Sequence, residues 1–140
     1  MADVIPNGFK KNIMNGTIDL DTDTIKVMLT TSSYVPDQDA HEFKSSVTNE
    51  VVGTNYTAGG QALANKSVTQ DNTDNEGVFD ADDVTWANST ITARYAVIYK
   101  DTGNAATSPI IAIIDFVTDK VSSAGNFTIS WNAEGILNLN

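Results

Sequence analysis

Apolar positions recur with helical spacing only at the start of the chain. In MADVIPNGFKKNIMNG, Phe9 and Ile13 lie one turn apart, Asn7 stands where an N-cap belongs, and Gly16 is placed to end the segment. Downstream the period changes from about 3.6 to 2. In TIKVMLTT, Ile25, Val27 and Leu29 alternate with Lys26, Met28 and Thr30. In FTISWNA, Phe127, Ile129 and Trp131 oppose Thr128, Ser130 and Asn132, so each run predicts a strand with one buried face. TITARYAVIYK gains apolar character on both faces toward Ile98. SPIIAIIDF loses alternation altogether, as a strand does when it is covered on both faces or lies at an oligomer contact. Pro109 marks the start of that run, and KDTGNAAT joins the two as the turn of a hairpin.

Counting TIDL, TIKVMLTT, ALANKSVTQ, GVFD, DVTWAN, TITARYAVIYK, PIIAIIDF, NFTISWN and GILNL predicts about eight or nine short strands, separated by Gly, Asn and Asp turns. The fold class is all-β, an antiparallel β-sandwich of jelly-roll kind with a short N-terminal helix and one long loop. A chain of 140 residues holds one domain of this type: residues 1–140, with 1–16 as arm and helix. The long loop is residues 31–60, TSSYVPDQDAHEFKSSVTNEVVGTNYTAGG. It breaks the strand rhythm yet carries Tyr34, His41, Phe43 and Tyr56, which a floppy linker has no use for.

Charge changes the picture of partners. Eighteen Asp and Glu against eight Lys and Arg leave a net charge of −10, and such a field repels nucleic acid and anionic membrane surfaces. The absence of cysteine removes disulfides, thiolate metal sites and thiol nucleophiles together. No signal-peptide pattern opens the chain, and no apolar stretch approaches the ~18 residues of a membrane span. Five Asn-x-Ser/Thr sequons, starting at Asn15, Asn55, Asn65, Asn88 and Asn126, read as a by-product of high Asn, Ser and Thr content.

Candidate chemistry is sparse. DNTDNEGVFDADD, from Asp71 to Asp83, holds six acids in thirteen residues. A calcium loop framed from Asn72 would have Asn first, Asp83 last and strands on both sides, so the helix-loop-helix site fails. What is left is a solvated turn between strands, with carboxylates that can gather an adventitious cation. Asp19, Asp21 and Asp23 in DLDTDT also read as a solvated turn. His41 is the only histidine, no G-x-S-x-G elbow or S-x-x-K exists, and a zinc site lacks ligands, so no catalytic residue, cofactor or metal is assigned. The two glycines of TAGGQ precede a strand and predict a turn of positive φ, not a phosphate cradle. Trp86, Trp131, Tyr95 and Tyr99 could be drawn as a sugar platform, but aromatics at alternating strand positions belong in a core.

Several segments taken together carry a resemblance: IKVMLTTSSYVPDQDAHEF, VVGTNYTAGGQALANKSVT, FDADDVTWANSTITARYAVIYKDTG, SPIIAIIDF and FTISWNAEGIL. They resemble a group of small virion structural proteins of tailed double-stranded DNA bacteriophages, from about Asp19 onward and most specifically over Phe79 to Gly103. The resemblance carries no catalytic motif, and it implies a non-enzymatic structural role on the particle. Within that group the nearest analogues are head decoration or cement proteins. These bind the major capsid protein in many symmetric copies on the capsid surface, after synthesis in the bacterial cytoplasm. Proteins of this size also occur in tails and head fibres. On this reading the helix and the 31–60 excursion are left over by the sandwich, which makes Phe9, Ile13, Tyr34, His41, Phe43 and Tyr56 the expected partner contacts. The competing reading is a β-sandwich adhesin or carbohydrate-binding module, calcium-assisted through the acid-rich turn. A glycosidase built on two carboxylates ranks third.

Overall fold

The computed structural model describes residues 3–140. The protein is all-β, with two antiparallel sheets and one short helix, as the period-2 pattern predicts. Helix α1 covers Asn7–Met14; the strands are β1 (Ile25–Thr30), β2 (Gln61–Ala62), β3 (Ser67–Asp71), β4 (Glu76–Asp80), β5 (Val84–Lys100), β6 (Ile110–Ile129) and β7 (Leu137–Leu139). One sheet has the order β2-β1-β5-β6, the other β3-β4-β7. The jelly-roll arrangement is not confirmed by this four-plus-three order.

Six expected strands are redrawn. DVTWAN and TITARYAVIYK are one strand, β5, which turns through Asn88 at φ 50° and slips register at bulges near Ser89 and between Ala93 and Tyr95. PIIAIIDF and most of NFTISWN are likewise joined in β6 by the polar stretch between them, because backbone pairing to β5 needs no apolar side chain. TIDL is a turn instead of a strand: Asp19 Oδ1 accepts from the N–H groups of Asp21 and Thr22, a local bond that competes with the ladder. ALANKSVTQ splits at Asn65 (φ 50°), so that its start pairs with β1 and its end with β4 in the other sheet.

Helix α1 also starts differently from the expectation. Pro6, not Asn7, holds the N-cap position, and the Asn7 amide instead donates to Asp39 Oδ1 at 2.7 Å. Gly16, at φ 76°, follows the helix end as predicted.

The main core lies between the sheets, where Val27, Leu29, Ile98, Ile111 and Ile114 meet Phe79 and Leu137, with Phe9 of α1 closing one side. A second core lies on the other face of the four-stranded sheet, where Met28, Val97, Tyr99, Ile110 and Ile113 are covered by Tyr34, Val4 and Val47. SPIIAIIDF is therefore covered on both faces within its own chain. The cover is the 31–60 excursion together with the N-terminal arm. Val51 N–H donates to Leu29 O, Ile110 N–H to Glu42 O and Lys44 N–H to Ser108 O, so this excursion is tied along the sheet instead of hanging from it.

Candidate functional site

Of the six residues expected at a partner contact, two are consumed by the cores. Phe9 is 0% exposed and Tyr34 1%, so neither offers surface in this conformation. The reason is the same for both: the four-stranded sheet has two apolar faces, and α1 helps the second sheet to cover one while the excursion helps the arm at Val4 to cover the other. Ile13, His41, Phe43 and Tyr56 are half-buried. Ile13 and Tyr56 also pack against the main core.

His41 is held by its own loop. Its ring stacks on Tyr34 at 5.6 Å, and its Nδ1 lies 2.9 Å from the Tyr34 hydroxyl and accepts from Asp37 N–H at 3.3 Å. Burial pushes the Tyr34 hydroxyl up to about 12. Asp37 turns back on its own segment, where the N–H groups of Ala40 and Asp39 hold its carboxyl below the usual range. Among the described residues no serine hydroxyl or carboxylate bonds to His41; its polar partners are the Tyr34 hydroxyl and the Asp37 N–H of its own loop.

The acid-rich segments are turns, as their composition predicts. Asp71 Oδ1 accepts from Thr73 and Asp74 N–H at the β3–β4 tip, and Asn75 supplies the positive φ there. Asp74, Glu76 and Glu134 place carboxylate oxygens within 4.8 Å of one another, and Glu76 also accepts from the Asn138 amide. In the other turn, Thr22 and the Asp21 N–H hold the Asp19 carboxyl below its usual range, and Asp23 is paired with Lys100 at 2.9 Å. The expected core aromatics are in place: Trp86 and Tyr99 are buried, while Tyr95 and Trp131 pack against the two cores. Trp131 further donates its indole N–H to Asp82 O at 2.8 Å. Gly59 and Gly60 have φ of 92° and 74°, as predicted for TAGGQ.

One feature escaped the sequence reading. Between the end of α1, the Ile18–Asp21 turn and the inner face of β3-β4-β7 lies an open apolar cleft of about 400 Å³. Ile13, Ile18, Leu20, Val68, Phe79 and Leu139 line it, with Asp19 and Asp21 among its walls. The turn that holds Asp19 and Asp21 thus forms one wall of this concavity. The signal that could have found it was Gly77, a glycine in the middle of a strand.

A second, shallower groove runs beside β6 under Phe116, Val121 and Phe127. This strand is the edge of its sheet: Val4 pairs with it at Ile113, and the Asp3 carboxylate caps Asp115 N–H. Beyond that point, between the Tyr95–Asp115 and Ala93–Lys120 pairs, four residues of β6 oppose the single Arg94 of β5. Val117 sits in this bulge at φ 69° and 73% exposed. Arg94 clamps its base through Asp115 at 2.6 Å, which keeps that carboxyl well below the usual range. A bulge and a lysine on an edge are the ordinary protection against edge-to-edge pairing.

Comparison with known protein families, with curated proteins and with solved structures found no match for this chain.

Proposed function

We propose that the protein is a non-enzymatic structural component of a tailed-bacteriophage virion, and within that class a head decoration protein that binds the major capsid protein and stabilises the shell. The observation that carries this reading is the resemblance over Phe79–Gly103, the segment that forms the end of β4 and all of β5. The physics of a clamp is compatible with it. Such a protein folds on its own and adds contacts across a seam, and symmetry repeats each contact around the particle. The contact then falls on what the excursion leaves outside: His41 and Phe43, with the exposed Val35 and Val52. A net charge of −10 favours a basic acceptor and keeps the free protein off packaged DNA.

The test is co-sedimentation with capsids that lack the protein, read together with the melting temperature of those capsids. Binding that raises the melting temperature supports the decoration role. An absence of binding removes it and leaves the wider virion assignment standing.

The adhesin reading draws on one observation, the approach of Asp74, Glu76 and Glu134. It is weakened by the burial of Trp86 and Tyr99, two of the four aromatics that would build a sugar platform. Calorimetric titration with calcium and a glycan panel separates the two readings.

A further inference from the structure

The cleft beneath the three-stranded sheet is built in a way its own fold does not require. The sheet register places Val68, Phe79 and Leu137 in one inward row and Gln70, Gly77 and Leu139 in the next. Phe79 and Leu137 are sealed in the core. The next row has a glycine at its centre and opens to solvent.

Gly77 has no positive φ, and a Cβ built on it would meet nothing closer than the carbonyls of Thr69 and Leu139, both at 4.0 Å. Neither backbone conformation nor crowding asks for glycine there, although glycine weakens a strand interior. A glycine in such a place marks the close approach of something else. Around it stand apolar side chains left in water: Val68 is 51% exposed and Leu139 46%. The volume of about 400 Å³ lies within the range of ~300–1,000 Å³ that ordinary ligand sites span.

Charge selects the occupant. The cleft wall carries two carboxylates, Asp19 and Asp21, and no Lys or Arg. Among the described residues neither carboxylate is neutralised by an ion pair. A second copy of the chain would bring the same acids to the same place, and a fatty acid or anionic lipid would bring another carboxylate or phosphate. Both are repelled.

We propose that this cleft docks a peptide segment of a partner protein, one that inserts aliphatic or aromatic side chains over Gly77 and sets flanking Lys or Arg residues against the acidic rim. The site is a groove of the kind that receives one face of a helix or a short extended segment. It stands independently of the virion assignment, because nothing in its geometry draws on that resemblance.

The experiment is selection of random peptides of roughly a dozen residues on the intact protein, a length that spans such a groove. Affinities of the enriched peptides are then measured by fluorescence anisotropy for the wild type, Gly77→Leu, Val68→Lys and Asp21→Lys. The expected result is a shared pattern of apolar residues flanked by Lys or Arg. Binding should weaken at least about tenfold in Gly77→Leu and in Val68→Lys, severalfold in Asp21→Lys, and with added salt. Melting curves establish that each variant is folded, and Val68→Lys stands in if Gly77→Leu is not. Four results overturn the proposal: no enriched peptide, enriched peptides without basic flanks, affinities indifferent to both cleft variants, or self-association of the wild type that Gly77→Leu abolishes. Because the probe is peptide and not capsid, loss of peptide binding with capsid binding intact overturns this inference alone.

Discussion

Gly60 and Gly77 are both strand-flanking or strand glycines in the sequence, yet they answer opposite demands. A Cβ at Gly60 would sit 1.8 Å from Val27 O at φ 74°, so the backbone of β1 leaves no room for one. Gly60→Ala is expected to cost ~3 kcal/mol or more, whereas Gly77→Ala should be neutral or stabilise by up to about 1 kcal/mol. Urea midpoints of the two variants check the contrast. Val117 is a residue in the wrong place by the same reasoning. A β-branched side chain at φ 69° is strained, and at 73% exposure it recovers little by burial. Val117→Asn should therefore raise stability by about 1 kcal/mol, read from the shift in unfolding midpoint. Asparagine already does this work elsewhere: Asn49, Asn55, Asn65, Asn75 and Asn88 all take positive φ. Three of the five sequons owe their asparagine to such a corner, a physical reason for what the composition shows only as a surplus.

At the scale of elements, the excursion from Thr31 to Gly60 is fastened by one side chain more than any other. The Tyr56 hydroxyl donates to Glu50 Oε1 at 2.8 Å and accepts from Leu29 N–H at 2.9 Å, and Glu50 Oε1 also receives Gly59 N–H. Tyr56→Phe removes the acceptor of a β1 amide and a donor to a carboxylate, at an expected cost of about 1–3 kcal/mol. Amide exchange should rise first in residues 49–60. This element also marks the limit of what was legible. The strands with clean alternation, β1 and the ends of β5 and β6, could be placed directly, but β1 is buried on both faces and not only on the one expected, because Met28 and Thr30 are covered as well. Residues 117–126 could not, since a stretch whose one buried side chain is the polar Ser122 has no apolar alternation to report. The excursion carried its aromatics in plain view, but alternation says nothing about which face of a distant sheet they cover. For the cleft the sequence showed Gly77 and the acids of the Asp19–Asp23 turn separately, and only the packing of that turn beside β4 brings them together.

For the whole molecule, stability should be bounded by two titrations of opposite sign. Lys11 holds the Glu42 carboxyl low, Arg94 that of Asp115, and the Gly103 N–H that of Asp101. A folded value below the unfolded one gives stability that is present above the unfolded carboxylate range of ~4 and is lost as pH falls through the folded values. Burial raises the hydroxyls of Tyr34, Tyr99 and Tyr56, with Tyr34 at about 12. Raised values give the reverse: stability present below the unfolded tyrosine value of ~10 and lost as pH climbs past it. Melting temperature is expected to hold between these limits, to fall below about pH 4, and to fall again above about pH 10 with tyrosinate absorbance tracking the loss. A melting temperature that declines steadily from pH 7 to 5 would contradict this arrangement.

The pairing of Val4 with Ile113 sets an order of events during synthesis. The arm leaves the ribosome early, while the strand edge that receives it is made more than a hundred residues later. Until Ile113 is made, the Val4 N–H and C=O lack that partner. Closing this pair is thus a late step of assembly, and a nascent chain halted before Ile113 would leave the segment around Val4 unpaired and open to proteases.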